Sequence, residues 1–203
     1  MTRRVNGREA QLRRAIAQEA ARIMAEHGIE DFLLAKRKAA ERLLINSTNS
    51  TALPKNEEIE AALLEHQRLF QSGRHEQQLH ELRSAALRLM RLLDGFKPRL
   101  VGSVLSGSAT AHSEINLHVF VDRAEQVVLR LEETGIVAQH AEKRFRYDAD
   151  RQLTYPSFKF VAGQHAVEIV VFPVDGIRQA PVSPVDGKPM ARADSAELQS
   201  LLQ

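Results

Sequence analysis

The hydrophobic spacing of this chain changes once, near Gly95, and that change limits what it can fold into. Before Gly95 the apolar residues recur at helical intervals. Leu12, Ala15, Ile16, Ala20, Ile23 and Met24 form one stripe within residues 8–27, and Gly28 is a natural stop. Asp31 can cap a second helix over about 32–45. A polar loop, Asn46 to Leu53, follows; its Asn46 and Asn49 triplets have the form of glycosylation acceptors, expected to stay unmodified. Pro54 and Asn56 open a third helix running to about Phe70, with Glu57, Glu58 and Glu60 at its positive end. A fourth covers about 75–93, with Leu79, Leu82, Ala86, Leu89, Met90 and Leu93 on its buried side.

After Gly95 the pattern alternates, as strands require. Strands are expected at about 99–105, 115–121, 143–148, 154–161 and 165–172, with a helix at 123–134 between the second and third. Beyond Pro173 the chain reads as a loop ending in a short helix, 195–202. The fold class is therefore α+β: a four-helix region over 1–95, a small mixed sheet domain over 96–180, and a C-terminal loop and short helix over 181–203.

Composition narrows the setting. No apolar run approaches the length of a membrane span, and no secretory apolar core opens the chain. The absence of cysteine excludes disulfides, thiolate metal sites and a cysteine nucleophile, and fits a reducing, cytoplasmic location. Residues 1–100 carry 18 basic and 13 acidic side chains, a net of +5, while residues 101–203 carry 10 and 13, a net of −3. A positive first half suits an anionic partner; exposed helix faces that collect arginine are the plainer explanation.

Chemistry concentrates in residues 100–122 and again near residue 168. Gly102-Ser103 forms a small, polar turn after an apolar pair. In Glu114-Ile115-Asn116-Leu117, alternation puts Glu114 and Asn116 on one face. Glu168 stands between Val167 and Ile169 in a strongly apolar strand, where an unpartnered carboxylate is costly. It is expected either in a site or in a salt bridge to Lys159 or Arg146. Lys143, Arg144 and Arg146 form a basic cluster; Arg144 and Arg146 share a strand face, suited to phosphate or to a solvated edge. His112 and His118 lie near the turn, where packing or surface roles are usual. Lys36, Arg37, Lys38 and Arg42 form the densest basic group of the helical half.

These three elements in this order resemble the nucleotidyltransferase superfamily, whose fold DNA polymerase β shares. Its pattern is a hydrophobic residue with Gly and Gly or Ser, then Asp-h-Asp-h, then a third acid on a later strand. Val101-Gly102-Ser103 matches the opening. Glu114 and Asn116 stand where the two aspartates would be, and Glu168 stands for the third acid. The resemblance spans roughly residues 96–173. It implies a sheet of nucleotidyltransferase type and transfer of a nucleoside monophosphate from a nucleoside triphosphate to an acceptor: RNA, protein or a small molecule. It implies Mg²⁺ or Mn²⁺ held by Glu114, Asn116 and Glu168, with Gly102, Ser103, Arg144 and Arg146 on the nucleotide. Because Asn116 supplies no charge, a catalytically inactive module that binds nucleotide, RNA or protein on the same fold is the alternative.

Overall fold

The computed structural model describes residues 2–44, 53–70 and 72–203. The loop expected at 46–53, with Asn46 and Asn49, lies outside the described residues except for Leu53. The chain divides into two compact units, and the division falls inside the fourth helix, between Glu76 and Gln77. Short pieces at 110–112 and 184–186 belong with the first unit.

In the first unit, helix α1 (Thr2–His27) and helix α2 (Phe32–Arg42) are joined through Gly28, which takes a left-handed φ of 65°. A Cβ at Gly28 would lie 2.6 Å from His112, so the turn also needs glycine for space. The Asp31 carboxylate accepts hydrogen bonds from the Leu33 and Leu34 amides at 2.7 and 3.1 Å, satisfying two orphan donors at the start of α2. Helix α3 (Asn56–Phe70) completes the unit. Ile16, Ala20, Ile23 and Met24 of α1 are buried with Ala35 and Ala39 of α2 and Ile59 and Leu63 of α3. The alanines let α2 come close; the expected stripe on α1 is the one that packs.

The second unit is a five-stranded mixed sheet in the order β1-β2-β5-β4-β3. Its strands are β1 (Arg99–Val101), β2 (Ile115–Phe120), β3 (Gln139–Arg146), β4 (Gln152–Ala162) and β5 (His165–Phe172). Only β2 and β5 run parallel; every other neighbouring pair is antiparallel. Helix α6 (Glu125–Glu133) connects β2 to β3, and α7 (Ser195–Ser200) closes the chain behind a capping box of Asp194 and Glu197. One face of the sheet carries Ile115, Leu117, Val119, Val167, Ile169, Val171 and Phe158. These share a core with Val127 and Leu131 of α6, Leu198 of α7 and the apolar side of helix α4 (Ser72–Leu92).

The first four helices precede residue 95 and the strands follow it; the compact units divide earlier, before residue 77, because Leu82, Ala86, Leu89, Met90 and Leu93 are core residues of the sheet. One expectation is corrected here. The strand expected over 99–105 stops at Val101. Gly102, at φ 74° and ψ −155°, turns the backbone into a region open essentially to glycine, and a short helix α5 (Ser103–Ser106) follows.

The segment expected as a plain loop also has more order. It pairs with the sheet's two edge strands: the Val182 amide donates to the Arg146 carbonyl on β3, and Ala193 bridges Leu100 on β1. This strap therefore runs from one edge of the sheet to the other.

If α4 is part of the sheet's core, Met90→Ala should destabilise the second unit by about 2–5 kcal/mol. Urea unfolding followed by near-ultraviolet circular dichroism of the tyrosines, both of which lie in that unit, measures this directly.

Candidate functional site

The candidate site is built on the face of the sheet opposite the helices, and strand register decides which side chains meet there. Asn116 on β2 is directly opposite Glu168 on β5, and Glu168 is directly opposite Lys159 on β4. The three form a row across three strands, close enough for their side chains to interact. Glu114 enters just ahead of β2. Lys143 arrives from β3, two strands away from Glu168, on a side chain long enough to span the gap.

All three oxygen-bearing residues expected in the site are thus brought together. Glu168 is buried, with 4% of its side chain exposed. The Lys143 ammonium donates a short hydrogen bond to Glu168 Oε2 and a second, at 3.2 Å, to Asn116 Oδ1. The Lys159 ammonium lies 3.6 Å from Glu114 Oε2 and 3.9 Å from Glu168 Oε1. The Asn116 amide is fixed at both ends, since Nδ2 donates to the Glu114 carbonyl at 3.2 Å. Glu168 therefore has the salt bridge to Lys159 and a closer one to Lys143; Arg146 takes no part.

Gly102 and Ser103 stand beside this row, because Val101 pairs with Asn116. A Cβ at Gly102 would lie 3.8 Å from Asn116 Nδ2, so the bare backbone of the turn faces the amide. The turn is held from below by Arg83 of α4. Its guanidinium donates to the Val104 and Leu105 carbonyls, each at 3.1 Å, and so satisfies acceptors at the end of α5. Nothing in the sequence pattern marks Arg83 for this task.

Arg144 and Arg146, expected on the nucleotide, are not brought to the site. Along β3, Lys143 and Phe145 face Glu168 and His118, so Arg144 and Arg146 point to the other face. In the first unit, the basic group at residues 36–42 is partly neutralised. Arg42 pairs with Glu19 at 3.2 Å, and burial pulls the Lys36 ammonium below its usual pKa against the opposing charge of Glu58.

His118, two residues after Asn116, is a packed residue. Its ring meets Phe145 and Phe172, and Nδ1 accepts from Arg192 Nε at 3.2 Å, which leaves the ring proton on Nε2. Arg192 comes from the strap. Its guanidinium lies 5.0 Å from the ring centres of both Phe120 and Phe172 and donates to the Gly176 carbonyl at 2.9 Å. Arg192 Nη2 is buried with no partner among the described residues.

The donor set can be tested against Mg²⁺. The oxygens are of the right kind, two carboxylates and an amide carbonyl. Each residue, however, already engages an ammonium. Two carboxylates against two ammoniums leave no net charge for a divalent ion. Among the described residues, no group of three or more His, Asp or Glu side chains is arranged to hold a metal. As the chain stands, these residues do not fit Mg²⁺.

No protein-family model matches the chain, and no curated protein matches it. A solved structure of a cytoplasmic RNA terminal U-transferase is similar over 49% of this chain, at 20% identity and a TM-score of 0.32. The chain covers 29% of that protein's length. A likeness of that extent does not establish a family. Among the described residues, no helix is long and apolar enough to cross a membrane.

Two outcomes follow from this geometry. Glu168→Gln removes the negative charge that both lysines share and should destabilise the chain by about 1–3 kcal/mol, read from urea unfolding. For His118, burial first, then the charges of Arg192 and Lys143, holds the pKa well below 6.5. The fold thus favours the neutral ring, so its contribution is complete above pH 6.5 and is lost as pH falls below that value. His118→Gln should flatten this part of the profile in thermal melts taken between about pH 7.5 and 5.

Proposed function

We propose that this chain is a nucleotidyltransferase-type domain that binds the phosphate end of a nucleotide without metal, and that it is a binding module rather than a metal-dependent transferase. One observation supports the reading: the site turns both of its cations toward solvent and buries its central anion, Glu168, while Glu114 stays partly exposed at the rim. The Lys143 and Lys159 side chains are 39% and 46% exposed, against 4% for Glu168. A ligand arriving from solvent meets ammonium groups first, and those groups select an anion.

The surroundings favour the same ligand. The bare Gly102 backbone allows a phosphate to approach closely. Lys143 and Lys159 can share their protons between a carboxylate behind and a phosphate oxygen in front, since each ammonium has three donors. The three acids and amides inherited by position would then serve to hold the lysines in place.

Metal-dependent transfer of a nucleoside monophosphate, which the sequence resemblance implies, meets an obstacle in this arrangement. Such transfer uses divalent ions to bind and neutralise the reacting phosphates. Here the cation positions are taken by groups that cannot leave the chain.

The test pairs binding with turnover. Nucleoside triphosphate affinity, measured by titration calorimetry, should be the same in EDTA as in Mg²⁺. Lys143→Ala and Lys159→Ala should each weaken it about tenfold. No pyrophosphate should appear when labelled triphosphates are incubated with Mg²⁺ or Mn²⁺. Pyrophosphate release that is abolished by Glu168→Gln would show instead that the chain is a transferase.

A further inference from the structure

We infer that Ser157 is a second donor to Glu168, and that its hydroxyl takes over the carboxylate oxygen Oε2 when an anion draws the Lys143 ammonium outward. For its ligand, a phosphate arriving from solvent, this exchange rests on the reading above.

Ser157 is wholly buried, and among the described residues its hydroxyl has no hydrogen-bond partner. A buried polar group without a partner costs free energy, and most such groups in folded proteins have one. An alanine would fit the strand without that cost. Alternation puts Ser157 on the same side of β4 as Tyr155 and Lys159, so the hydroxyl belongs to the face that carries the site.

Register accounts for what covers it. Lys143 is opposite Tyr155, Glu168 is opposite Lys159, and Ser157 lies between Tyr155 and Lys159 along β4. To bring its ammonium from β3 to Glu168 on β5, the Lys143 side chain has to cross β4 at Ser157. The stem of the lysine therefore lies over the hydroxyl. On β5, Ser157 is directly opposite Val170, two residues from Glu168 on the same face. Diagonal neighbours of this kind sit roughly 7–8 Å apart, a gap that a glutamate side chain spans. Glu168 Oε2 is thus within reach of two donors, Lys143 and Ser157, and holds the charged one.

The two donors differ in mobility and charge. Lys143 reaches solvent on a long side chain, and its ammonium is attracted by an incoming phosphate. Ser157 is neutral and fixed in the strand. As the ammonium moves toward the phosphate, Glu168 loses its closer partner in a buried position, where that loss is costly. The same movement uncovers the hydroxyl, which donates to Oε2 in the ammonium's place, while Lys159 stays beside Oε1. The two groups that the movement would leave without a partner satisfy each other. Because the hydroxyl is unsatisfied in the free chain and satisfied in the complex, Ser157 lowers the cost of turning Lys143 from the carboxylate to the ligand.

The experiment is a double-mutant cycle on the full chain, read by urea unfolding, together with calorimetric titration of inorganic tripolyphosphate in EDTA. Ser157→Ala is expected to leave the urea midpoint of the free chain unchanged or to raise it, since the hydroxyl has no bond to lose. Lys143→Met keeps the covering stem and removes the ammonium. In that background Ser157 already holds Glu168, so Ser157→Ala is expected to lower the midpoint. This reversal of sign needs no ligand. Ser157→Ala alone should also weaken tripolyphosphate binding about fivefold, the loss of one hydrogen bond.

Three results would each overturn the inference. A lower midpoint for Ser157→Ala alone means that the hydroxyl has a partner in the free chain. An undiminished midpoint for Ser157→Ala in the Lys143→Met background means that the hydroxyl never reaches Glu168. Tripolyphosphate affinity unchanged by Ser157→Ala means that the exchange plays no part in binding. Wild type that binds no tripolyphosphate rejects the anion-binding reading and the ligand named here, while the reversal of sign still upholds the two-donor carboxylate. Should Lys143→Met not fold, the first and third results decide.

Discussion

A carboxylate set between valine and isoleucine in a buried strand must be neutralised, and the sheet of this chain is arranged around doing so for Glu168. Two lysines from two different strands converge on it, and an asparagine from a third accepts a second hydrogen bond from Lys143. Buried ion pairs of this kind add little net stability, because desolvation offsets attraction. Their effect is on register. If β4 slipped by one residue, Phe158 or Phe160 would stand opposite Glu168 in place of Lys159, and the carboxylate would lose one of its two counter-charges. The apolar faces of β4 and β5 set the same register from the other side, through Phe158 and Ile169. The two sides of the sheet therefore agree on one alignment.

The parts of the fold governed by local rules were legible in the sequence. The helical stripes of α1 and α4, the Asp31 cap and the change of period near Gly95 each depend on neighbours within a few turns. So does Glu168, whose apolar surroundings announced a partner. What the sequence concealed was where the chain ends one element and to which face a residue belongs. The strand expected over 99–105 runs on through the Gly102-Ser103 turn because Val104 and Leu105 are again apolar; the Gly102 backbone dihedrals make it the end of the strand. Local periodicity marks the change near Gly95, but not that α4 packs into the core of the sheet through contacts with strands far along the chain.

The assignment on β3 was within reach. Phe145 is the large apolar residue of that strand, so its face is the inward one. Alternation then places Lys143 inward and both Arg144 and Arg146 outward. The affinity of arginine for phosphate does not override that alternation. Arg83 and Arg192 are of another kind. Each acts across a long stretch of sequence, on carbonyls at the end of α5 and on the His118 ring, and no pattern at their own positions signals it.

The parallel pairing of β2 with β5 carries a consequence for how the molecule is made. Ile115 meets Val167 some fifty residues further along, and the antiparallel hairpins of β3, β4 and β5 lie in between or at its end. A ribosome releasing this chain from its N-terminus exposes α1 to α3, then α4, then the β1-β2 pair, long before β5 emerges. Through that interval the apolar side of α4 and the inner face of β2 have β1, α6 and β4 as partners but lack the central strand that joins them. Closing a loop of that length is slow compared with forming a hairpin. The last strand to appear is also the one that carries Glu168 into the middle of the sheet, so completion of the charge row and completion of the sheet are one event in the life of the nascent chain.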